Sequence, residues 1–290
     1  MRVCVRCDGV VESPDFRCPA CGWTPDAKAG IPVLAPELEA DLGDYPADYF
    51  DELKELEAGH FWFENRNRLV QWALARFFPE AGSFFELGCG TGFVLEGIRE
   101  RFPHLRLIGG DAATAGLVHA RSRVPAAEFL QVDGRRTPFR GEVDVIGAFD
   151  VLEHIEDDAA VLREIHRGLR PGGGTIITVP QHRFLWSAQD DHARHKRRYS
   201  RHELVTRVQA AGFQVVWATS FVSLLLPVMA AVRLRKRTAQ GEPFDPSAEF
   251  RISPAVNRVL AVVLGAEQGL IRRGVRMPAG GSLLLVARRA

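Results

Sequence analysis

Short apolar runs alternate with helical patterns from residue 83 onward, and this alternation constrains the fold more than any other feature. The runs predict buried strands, and apolar residues at helical spacing predict the helices between them. Strands that alternate with helices form a mainly parallel sheet covered on both faces. We therefore expect an α/β protein with a doubly wound sheet. The predicted strands span residues 83–87, 105–109, 128–132, 143–149, 175–179, 213–218 and 282–287.

Acidic residues stand at the carboxyl ends of several predicted strands, the edge where such sheets bind ligands. The first strand leads into a glycine loop at residues 88–92, and Glu86 stands two residues before that loop. A dinucleotide loop would place its third glycine at position 93, which is a phenylalanine here, and Glu86 would repel a pyrophosphate. The loop suits a ligand with cationic groups instead. Asp111 is placed to bind both hydroxyls of a ribose, and Asp133 to bind an adenine amino group.

In order and spacing, these residues resemble the class I S-adenosylmethionine-dependent methyltransferases, and especially the small-molecule enzymes of the ubiquinone-biosynthesis type (methyltransferase-11/12-like). The resemblance covers about residues 60–220 and the last strand, and the matching positions are 86–92, Asp111, Asp133, 149–154 and 169–173. It implies a Rossmann-like, seven-stranded sheet with an antiparallel last strand, S-adenosyl-L-methionine as cofactor and a small-molecule acceptor. The implied cofactor-binding residues are Glu86, Gly88, Cys89, Gly90, Gly92, Asp111, Ala112, Asp133, Gly134 and Asp150.

Candidate bases lie after the fourth and fifth strands. Methyl transfer needs the acceptor held in line with the methyl group and, for some acceptors, a base that takes a proton. His154 follows the fourth strand, at the expected mouth of the site, although it can also serve only to cap or pack. We predict catalytic roles for His154, His195 and Tyr199, with Asp190 and His192 in the same cluster.

The resemblance also implies a metal option beside these bases. In the ubiquinone-type relatives, an acid-x-x-Glu-His segment at this place can hold a divalent cation. Asp150, Glu153 and His154 match that pattern residue by residue, with aspartate in the first position.

The loop after the fifth strand is rich in basic residues. Segment 182–202 contains six lysine or arginine residues and four histidines. Because the segment lies over the expected mouth of the site, it indicates an anionic acceptor, such as a carboxylate or a phosphate. The alternative is a surface loop whose arginines pair with the acidic stretch at residues 37–57.

The N-terminal segment contains four of the five cysteines, arranged as two CxxC pairs: Cys4, Cys7, Cys18 and Cys21. Each pair can present two thiolates from one tight turn, and four thiolates satisfy tetrahedral zinc. The pairs predict a structural zinc ribbon over residues 1–35, with residues 31–34 as its closing strand. Two disulfides or a redox CxxC are the alternatives, and no secretory signal is visible to favour disulfides.

Composition divides the rest of the chain. Residues 36–59 are expected to be an acidic linker and helix with a solvated face, since nine acids fall between residues 37 and 57. Adjacent aromatic residues follow at 60–63, and they cannot all face one side of a helix, so at least one is expected to cover something else. Residues 60–290 form the predicted methyltransferase domain, with a helical insertion at 220–278.

The insertion contains two predicted apolar helices, at 221–232 and 256–271, and basic residues follow each of them. We favour packing of these helices as a hairpin against each other or a second subunit, because the runs are short and interrupted. The alternative is peripheral membrane contact through 221–237 and 256–273, with the basic ends at the headgroups. A lipid-linked acceptor would fit that alternative.

The formal net charge is +1, from 37 basic and 36 acidic side chains, so no global field draws the chain to nucleic acid. The leading hypothesis is a cytoplasmic methyltransferase for a small-molecule acceptor, anionic or lipid-linked, with no nucleic-acid partner. An RNA base methyltransferase that uses the ribbon to bind RNA is one alternative, although segment 149–154 lacks the Asn/Asp-Pro-Pro-aromatic sequence used for exocyclic nitrogens. A non-catalytic protein that keeps only the cofactor pocket is another.

Overall fold

The structure is a computed structural model that describes residues 1–41, 49–238 and 251–290. Residues 42–48 of the predicted acidic linker and residues 239–250 of the predicted insertion lie outside the described residues. The helices are α1 (Pro36–Asp41), α2 (Tyr49–Glu57), α3 (Phe61–Phe77), α4 (Phe93–Arg101), α5 (Thr114–Arg123), α6 (Asp158–Gly168), α7 (Ala188–His192), α8 (Arg201–Ala210), α9 (Leu226–Thr238) and α10 (Pro254–Arg272).

The strands agree with the predicted apolar runs to within a few residues at most ends. Short 3-10 turns at Leu152–His154 and Arg183–Leu185 follow two of them. The strands are β1 (Arg2–Val3), β2 (Val10–Val11), β3 (Asp26–Lys28), β4 (Ile31–Val33), β5 (Ser83–Leu87), β6 (Arg106–Asp111), β7 (Glu128–Gln131), β8 (Val143–Phe149), β9 (Leu169–Pro180), β10 (Phe213–Phe221) and β11 (Ser282–Arg289).

Within the described residues, the main sheet has nine strands in the order β10-β11-β9-β8-β5-β6-β7-β4-β3. Strands β5 to β9 pair in parallel, and β11 runs antiparallel between β9 and β10. The seven strands from β5 to β11 are contiguous in the sheet, from β10 at one edge to β7. The prediction of a Rossmann-like α/β fold with an antiparallel last strand is confirmed.

The N-terminal segment makes the sheet two strands wider than predicted. The hairpin of β3 and β4 lies at the sheet edge, where β4 pairs in parallel with β7 through Val33 and Gln131. Residues 31–34 therefore continue the main sheet, and our prediction that they close a separate ribbon is wrong. A pairing between segments about a hundred residues apart leaves no local pattern in a sequence.

Helices cover both faces of the sheet, as the continuous apolar strands predict. Adjacent residues of β9 show the arrangement, since Ile176 and Ile177 are both fully buried and belong to different cores. One core contains residues of α6 and α8 together with the cysteine-containing segment. The other contains residues of α3, α4, α5 and α10.

A buried glutamine joins the N-terminal segment to the sheet. The Gln131 side chain accepts a hydrogen bond from the amide of Ala35 and donates to the carbonyl of the same residue, both at 2.9 Å. It also donates to the carbonyl of Ala112 at 2.9 Å. Gln131 is fully buried and supplies the partner of the Ala35 amide, while the Ala35 carbonyl also accepts from the amide of Leu38 at 3.2 Å.

The insertion contains two helices, as predicted, and α10 packs on α3. Asn257 accepts a hydrogen bond from the amide of Phe61 at 2.8 Å and donates to the carbonyl of Gly59 at 2.8 Å. Further along, Gln268 donates to the carbonyl of Asn65. Among the described residues, we find no helix that is both long enough and apolar enough to cross a bilayer.

The variant Gln131→Ala removes the side-chain partner of two backbone groups, the Ala35 amide and the Ala112 carbonyl. Each buried polar group left without a partner costs about 1–3 kcal/mol, so we expect the free energy of unfolding to fall by about 2–4 kcal/mol. Urea denaturation measures this loss. Gln209→Ala, on an exposed face of α8, is the control and should change stability by less than about 0.5 kcal/mol. Equal stability of the two variants would show that the hydrogen bonds of the Gln131 side chain do not contribute to the stability of the fold.

Candidate active site

A cavity of about 700 Å³ lies at the carboxyl ends of β5 and β8. Its wall runs from the glycine loop after β5 over the first turn of α3 to the loop after β9, and parts of α9 and α10 complete it. Sheets of this topology bind ligands at this edge. The volume lies in the range of small-molecule sites.

The glycine loop requires glycine because of its conformation and its close contacts. Gly88 and Gly92 have φ angles of +75° and +80°, which side chains disfavour. A Cβ at Gly88 would lie 2.3 Å from the Val151 side chain, and a Cβ at Gly92 would lie 2.9 Å from the Ala120 backbone. At Gly90, no described atom lies within 4 Å of the Cβ position. A ligand can therefore approach the backbone at Gly90.

Two predicted carboxylates lie beside this loop. Glu86 is 2 % exposed and lines the cavity, and one of its oxygens has no hydrogen-bond partner in the described parts of the chain. Burial raises the pKa of Glu86 well above its usual range. Asp111 accepts hydrogen bonds from the amides of Gly90 at 2.8 Å and Ala113 at 2.9 Å, which fixes the loop relative to β6. Cys89 is buried in the same wall of the cavity.

The remaining predicted cofactor residues fall into two groups. Asp150 lines the cavity, whereas Asp111, Asp133 and the residue that follows each of them, Ala112 and Gly134, are not part of its lining. The Asp133 carboxylate is held by the neighbouring arginine at position 135, with contacts of 2.7–3.0 Å. The expected contacts of Asp111 with a ribose and of Asp133 with an adenine stay predictions.

Arg66 places a cation in the cavity wall, and our sequence analysis did not identify it. Its guanidinium pairs with Asp150 and lies over the Trp62 ring, 4.5 Å from the ring centre. The spacing of four residues between Trp62 and Arg66 was the available signal, since it puts both on one face of α3. Phe61 and Phe63 line the cavity as well, which explains why adjacent aromatic residues occur here.

Asp150 has an uncommon backbone conformation at the end of β8. Its φ angle is +57°, in the left-handed region, which aspartate tolerates better than most residues. Its amide donates to the carbonyl of Thr178 at 2.9 Å. The following residue, Val151, is the one that packs against Gly88. The contact between Val151 and Gly88 therefore places Asp150 beside the glycine loop. Uncommon backbone conformations such as that of Asp150 cluster at functional sites.

Glu153, His154 and His195 form a cluster in which each offers a ligand atom within 4.8 Å of the others. Glu153 is fully buried, and neither of its carboxylate oxygens has a hydrogen-bond partner among the residues described. Burial and the neighbouring Asp150 raise the pKa of Glu153 well above its usual range. Burial, with His195 adding to it, lowers the pKa of His154 to about 4. The sequence pattern indicates Asp150, Glu153 and His154 as candidate ligands of a divalent cation. The structure groups Glu153 and His154 with His195 instead of Asp150.

Asp190 orients the His195 ring. Asp190 is 1 % exposed and lies 2.9 Å from Nδ1 of His195, and Arg198 donates two hydrogen bonds to it, at 2.7 and 3.0 Å. Although burial opposes the change, the hydrogen bonds from His195 and Arg198 lower the pKa of Asp190. An ionised carboxylate only accepts, so Nδ1 of His195 carries the proton and Nε2 can accept one.

Tyr199 and His192, the other predicted members of the base cluster, do not line the cavity. Tyr199 is 1 % exposed, and its hydroxyl donates to Asp158 at 2.6 Å. Burial and this hydrogen bond raise the pKa of Tyr199 far above its usual value. The predicted catalytic role of Tyr199 is therefore wrong. Successive residues of an extended segment point to opposite sides, so Arg198 faces the cavity and Tyr199 faces the core.

Two arginines of segment 182–202 pair with acids close by, and not with the acidic stretch that we considered as their partner. Arg197 contacts Asp158 at 2.9 Å, and Arg198 contacts Asp190 at 2.7 Å. The charges of these two arginines are therefore neutralised within the loop and α6.

Glu57, at the end of the acidic stretch, is buried instead of solvated. As the last residue of α2 it is 4 % exposed and accepts hydrogen bonds from the Thr91 hydroxyl at 2.5 Å and from Arg123 at 2.7 Å. Glu57 also lines the cavity. The prediction of a solvated helix face is wrong at this end, because α2 packs over the glycine loop and α5.

The four N-terminal cysteines converge on one point. Their sulfur atoms all lie within 4.8 Å of one another, with Cys4 3.8 Å from Cys21 and Cys7 3.5 Å from Cys18. All four are free thiols, so the alternative of two disulfides does not hold. Both of these short sulfur–sulfur contacts join a cysteine of one CxxC pair to a cysteine of the other.

The low pKa of His154 predicts a histidine that stays neutral until the pH falls to about 4. Because the pKa of His154 is lower in the folded chain than the usual 6.5, its neutral ring favours the folded state above pH 6.5. This contribution to stability is lost as the pH falls from 6.5 toward 4. An NMR pH titration of labelled histidine rings, with chelator present, measures it. His154→Gln identifies the resonance, and a titration of that ring near its usual pKa would contradict the buried placement.

Comparison with known proteins places the chain in a family. The methyltransferase domain family matches residues 56–218. The trans-aconitate 2-methyltransferase of Azoarcus sp. (strain BH72) is 35% identical over 119 residues, which are 41% of this chain and 47% of that protein. A protein of Mycolicibacterium smegmatis named "Probable S-adenosylmethionine-dependent methyltransferase" is 32% identical over 161 residues, 54% of this chain and 60% of that protein.

The fold is likewise shared with a solved methyltransferase. The structure of Haemonchus contortus phosphoethanolamine N-methyltransferase 2 in complex with S-adenosyl-L-methionine covers 87% of this chain and 60% of that chain, with a TM-score of 0.58 and 17% identity. The chain spans about half the length of the curated relatives that it matches. Because the family match extends over more than half of the chain, the chain belongs to the methyltransferase domain family.

Proposed function

We propose that the chain is an S-adenosylmethionine-dependent methyltransferase that acts on a small-molecule acceptor. The observation that carries the proposal is Glu86, a buried carboxylate with an unpartnered oxygen beside a glycine loop that leaves open space. An unpaired buried charge is costly, so this position favours a ligand with positive charge. The family, and a relative named for dependence on S-adenosylmethionine, support the same cofactor.

The residues beside the glycine loop fit this cofactor. Glu86 would face its charged amino-acid part, and Asp111 would bind the ribose hydroxyls, since a carboxylate that accepts two amide hydrogen bonds keeps further lone pairs. Asp133 and Gly134 would lie at the adenine. When bound, the cofactor supplies an electrophilic methyl group on a sulfonium sulfur. The protein's own task is to hold an acceptor atom in line with that methyl group.

His195 is the residue that we propose takes the acceptor's proton. Its Nε2 is free of a proton when Asp190 holds Nδ1–H, and the ring lines the cavity. His154, packed edge to face on His195, stays neutral because burial lowers its pKa to about 4. A neutral neighbour does not oppose the positive charge that forms on His195. His154 is therefore proposed to position the acceptor rather than to act as the main base.

The acceptor is proposed to be small and to have an apolar part. The cavity has room for a molecule of drug-like size, and Phe61, Trp62, Leu225 and Leu260 supply apolar contacts. The curated relatives named for trans-aconitate support a small-molecule acceptor. Local pairing of Arg197 and Arg198 reduces the case for a strongly anionic acceptor.

The variant Asp111→Ala tests the cofactor assignment. Charged hydrogen bonds contribute about 1.5–3 kcal/mol, so affinity for S-adenosylhomocysteine should fall about tenfold to a hundredfold. Isothermal titration calorimetry measures the change. Because Asp111 also fixes Gly90, the isosteric Asp111→Asn should be measured beside it, and circular dichroism should show that both variants fold.

Asp26→Ala, an exposed aspartate of β3 far from the glycine loop, removes the same charge and serves as the matched control. It should bind S-adenosylhomocysteine as the unaltered chain does. If the unaltered chain does not bind S-adenosylhomocysteine, or if both Asp111 variants bind it normally, the proposed function is wrong.

We also propose that the four N-terminal cysteines hold one structural zinc ion. Tetrahedral zinc with bonds of about 2.3 Å to sulfur places its sulfurs about 3.8 Å apart. Two of the sulfur separations here are 3.5 and 3.8 Å, and all lie within 4.8 Å. Cys4 and Cys18 are buried while Cys7 and Cys21 are exposed, so the ion would lie at the surface of the core. Four cysteine ligands leave no open position, which is typical of a structural ion.

Elemental analysis of the purified chain should find one zinc per molecule. Cys18→Ser should abolish this zinc and lower the melting temperature, because metal binding and folding of small segments are coupled. The fifth cysteine offers the control, since Cys89→Ser should keep the zinc. A natively folded chain without zinc, or one that keeps its zinc after Cys18→Ser, would refute the proposed ion.

A further inference from the structure

The outer faces of α9 and α10 expose large apolar side chains at helical spacing. In α10 these are Val256, Val259 and Val262, and the most exposed, Val262, is 68 % exposed. In α9 and the turn before it, Leu224 and Val228 are four residues apart, and Val228 is 60 % exposed. Single exposed valines are common, but an aligned series on two neighbouring segments marks an interaction site.

The opposite face of α10 is already used for packing. Leu264, Gln268 and Ile271 are buried against the rest of the chain. Glu267, the single acidic residue of the helix, is 1 % exposed and accepts hydrogen bonds from the amides of Ser223 at 2.7 Å and Leu224 at 2.8 Å. With its acid turned inward, α10 presents only apolar and basic side chains outward.

Basic residues border the apolar face. Arg258 and Arg272 in α10, and Arg273 and Arg276 directly after it, are all exposed. The sequence of α9 contains four basic residues and no acid. A helix of 19 residues is about 28 Å long. An apolar stripe with arginines on its borders is the pattern of helices that lie in a membrane interface.

The mouth of the cavity opens on the same face. Val228 and Val232 both line the cavity and are exposed, and Ile252 just before α10 and Leu260 within it line the cavity as well. The cavity lining here is mostly apolar, with Arg233 beside Val232. A molecule with an apolar chain and an anionic end fits such a rim.

We propose that the outer face of α9 and α10 docks on an anionic lipid bilayer. Valine side chains would enter the level of the headgroups, and the arginines would meet lipid phosphates. A symmetric contact with a second copy is disfavoured, since it would bring two sets of arginines together on a face to which α9 and α10 contribute no exposed acid. Docking would place the cavity mouth at the membrane surface, whichever ligand the cavity binds.

The test is co-sedimentation of the full chain with phosphatidylcholine vesicles that contain or lack phosphatidylglycerol. We expect binding only with the anionic lipid, and release when sodium chloride is added, because surface charge is screened by salt. The double variant Val259→Asp/Val262→Asp should weaken binding at least tenfold, and Arg258→Ala by about fivefold. All three positions are exposed, so the variants should fold normally.

Val118→Asp provides the matched control, since Val118 is an exposed valine of α5 at 41 % exposure. It should bind vesicles as the unaltered chain does. The proposal is overturned by the absence of vesicle binding, by equal binding of the control and the double variant, or by a dimer in sedimentation that the double variant dissociates while vesicles have no effect. Titration with S-adenosylhomocysteine on the same samples shows separately whether the cofactor proposal stands.

Discussion

Buried negative charge is the constraint on which the cavity depends. Four acids line its wall, and two of them have cationic partners, since Glu57 pairs with Arg123 and Asp150 pairs with Arg66. Glu86 and Glu153 are left with unpartnered oxygens, and burial raises the pKa of both. An unliganded cavity therefore favours their neutral forms. A ligand with positive charge would stabilise the ionised forms, so cofactor binding and proton release would be coupled here.

The sequence was sufficient to predict the strands and helices of the main domain and their order along the chain. Strands that are buried on both faces are continuous apolar runs, which are easy to recognise. Segments 83–87 and 143–149 were predicted to the residue. The width of the sheet was not predictable, because β4 joins β7 through a contact between distant segments. A three-residue strand that contains a proline has no pattern of its own to reveal which sheet it joins.

The site was predictable where a residue's role follows from its place at a strand end. Glu86, Gly90 and Asp150 were found in this way, and all three line the cavity. Side chains that reach the cavity from outside the strand ends were missed, as Arg66 and Glu57 show. Their roles depend on how α2 and α3 pack over the glycine loop. The spacing of Trp62 and Arg66 puts both on one face of α3, but it does not show what that face meets.

The error at Tyr199 has a related cause. A basic and aromatic segment over the mouth was correctly placed, but the sequence does not show which of two adjacent residues turns inward. The backbone of Tyr199 pairs with the end of β9, donating from its amide to the carbonyl of Pro180 at 3.0 Å. That pairing sends its ring toward Asp158 and leaves Arg198 on the side of Asp190.

The position of the cysteine cluster bears on what a bound ion does. Cys4 and Cys18 belong to the same core as α6 and α8, so the N-terminal segment is packed on the main domain rather than tethered to it. Gln131 continues this link, since its amide nitrogen donates both to the carbonyl of Ala35 and to that of Ala112, the residue after Asp111. An ion that fixes the cysteines would thereby help to fix the edge of the sheet where Asp111 holds the glycine loop. Of the roles open to this cysteine-containing segment, support of the neighbouring site is the one that these contacts favour.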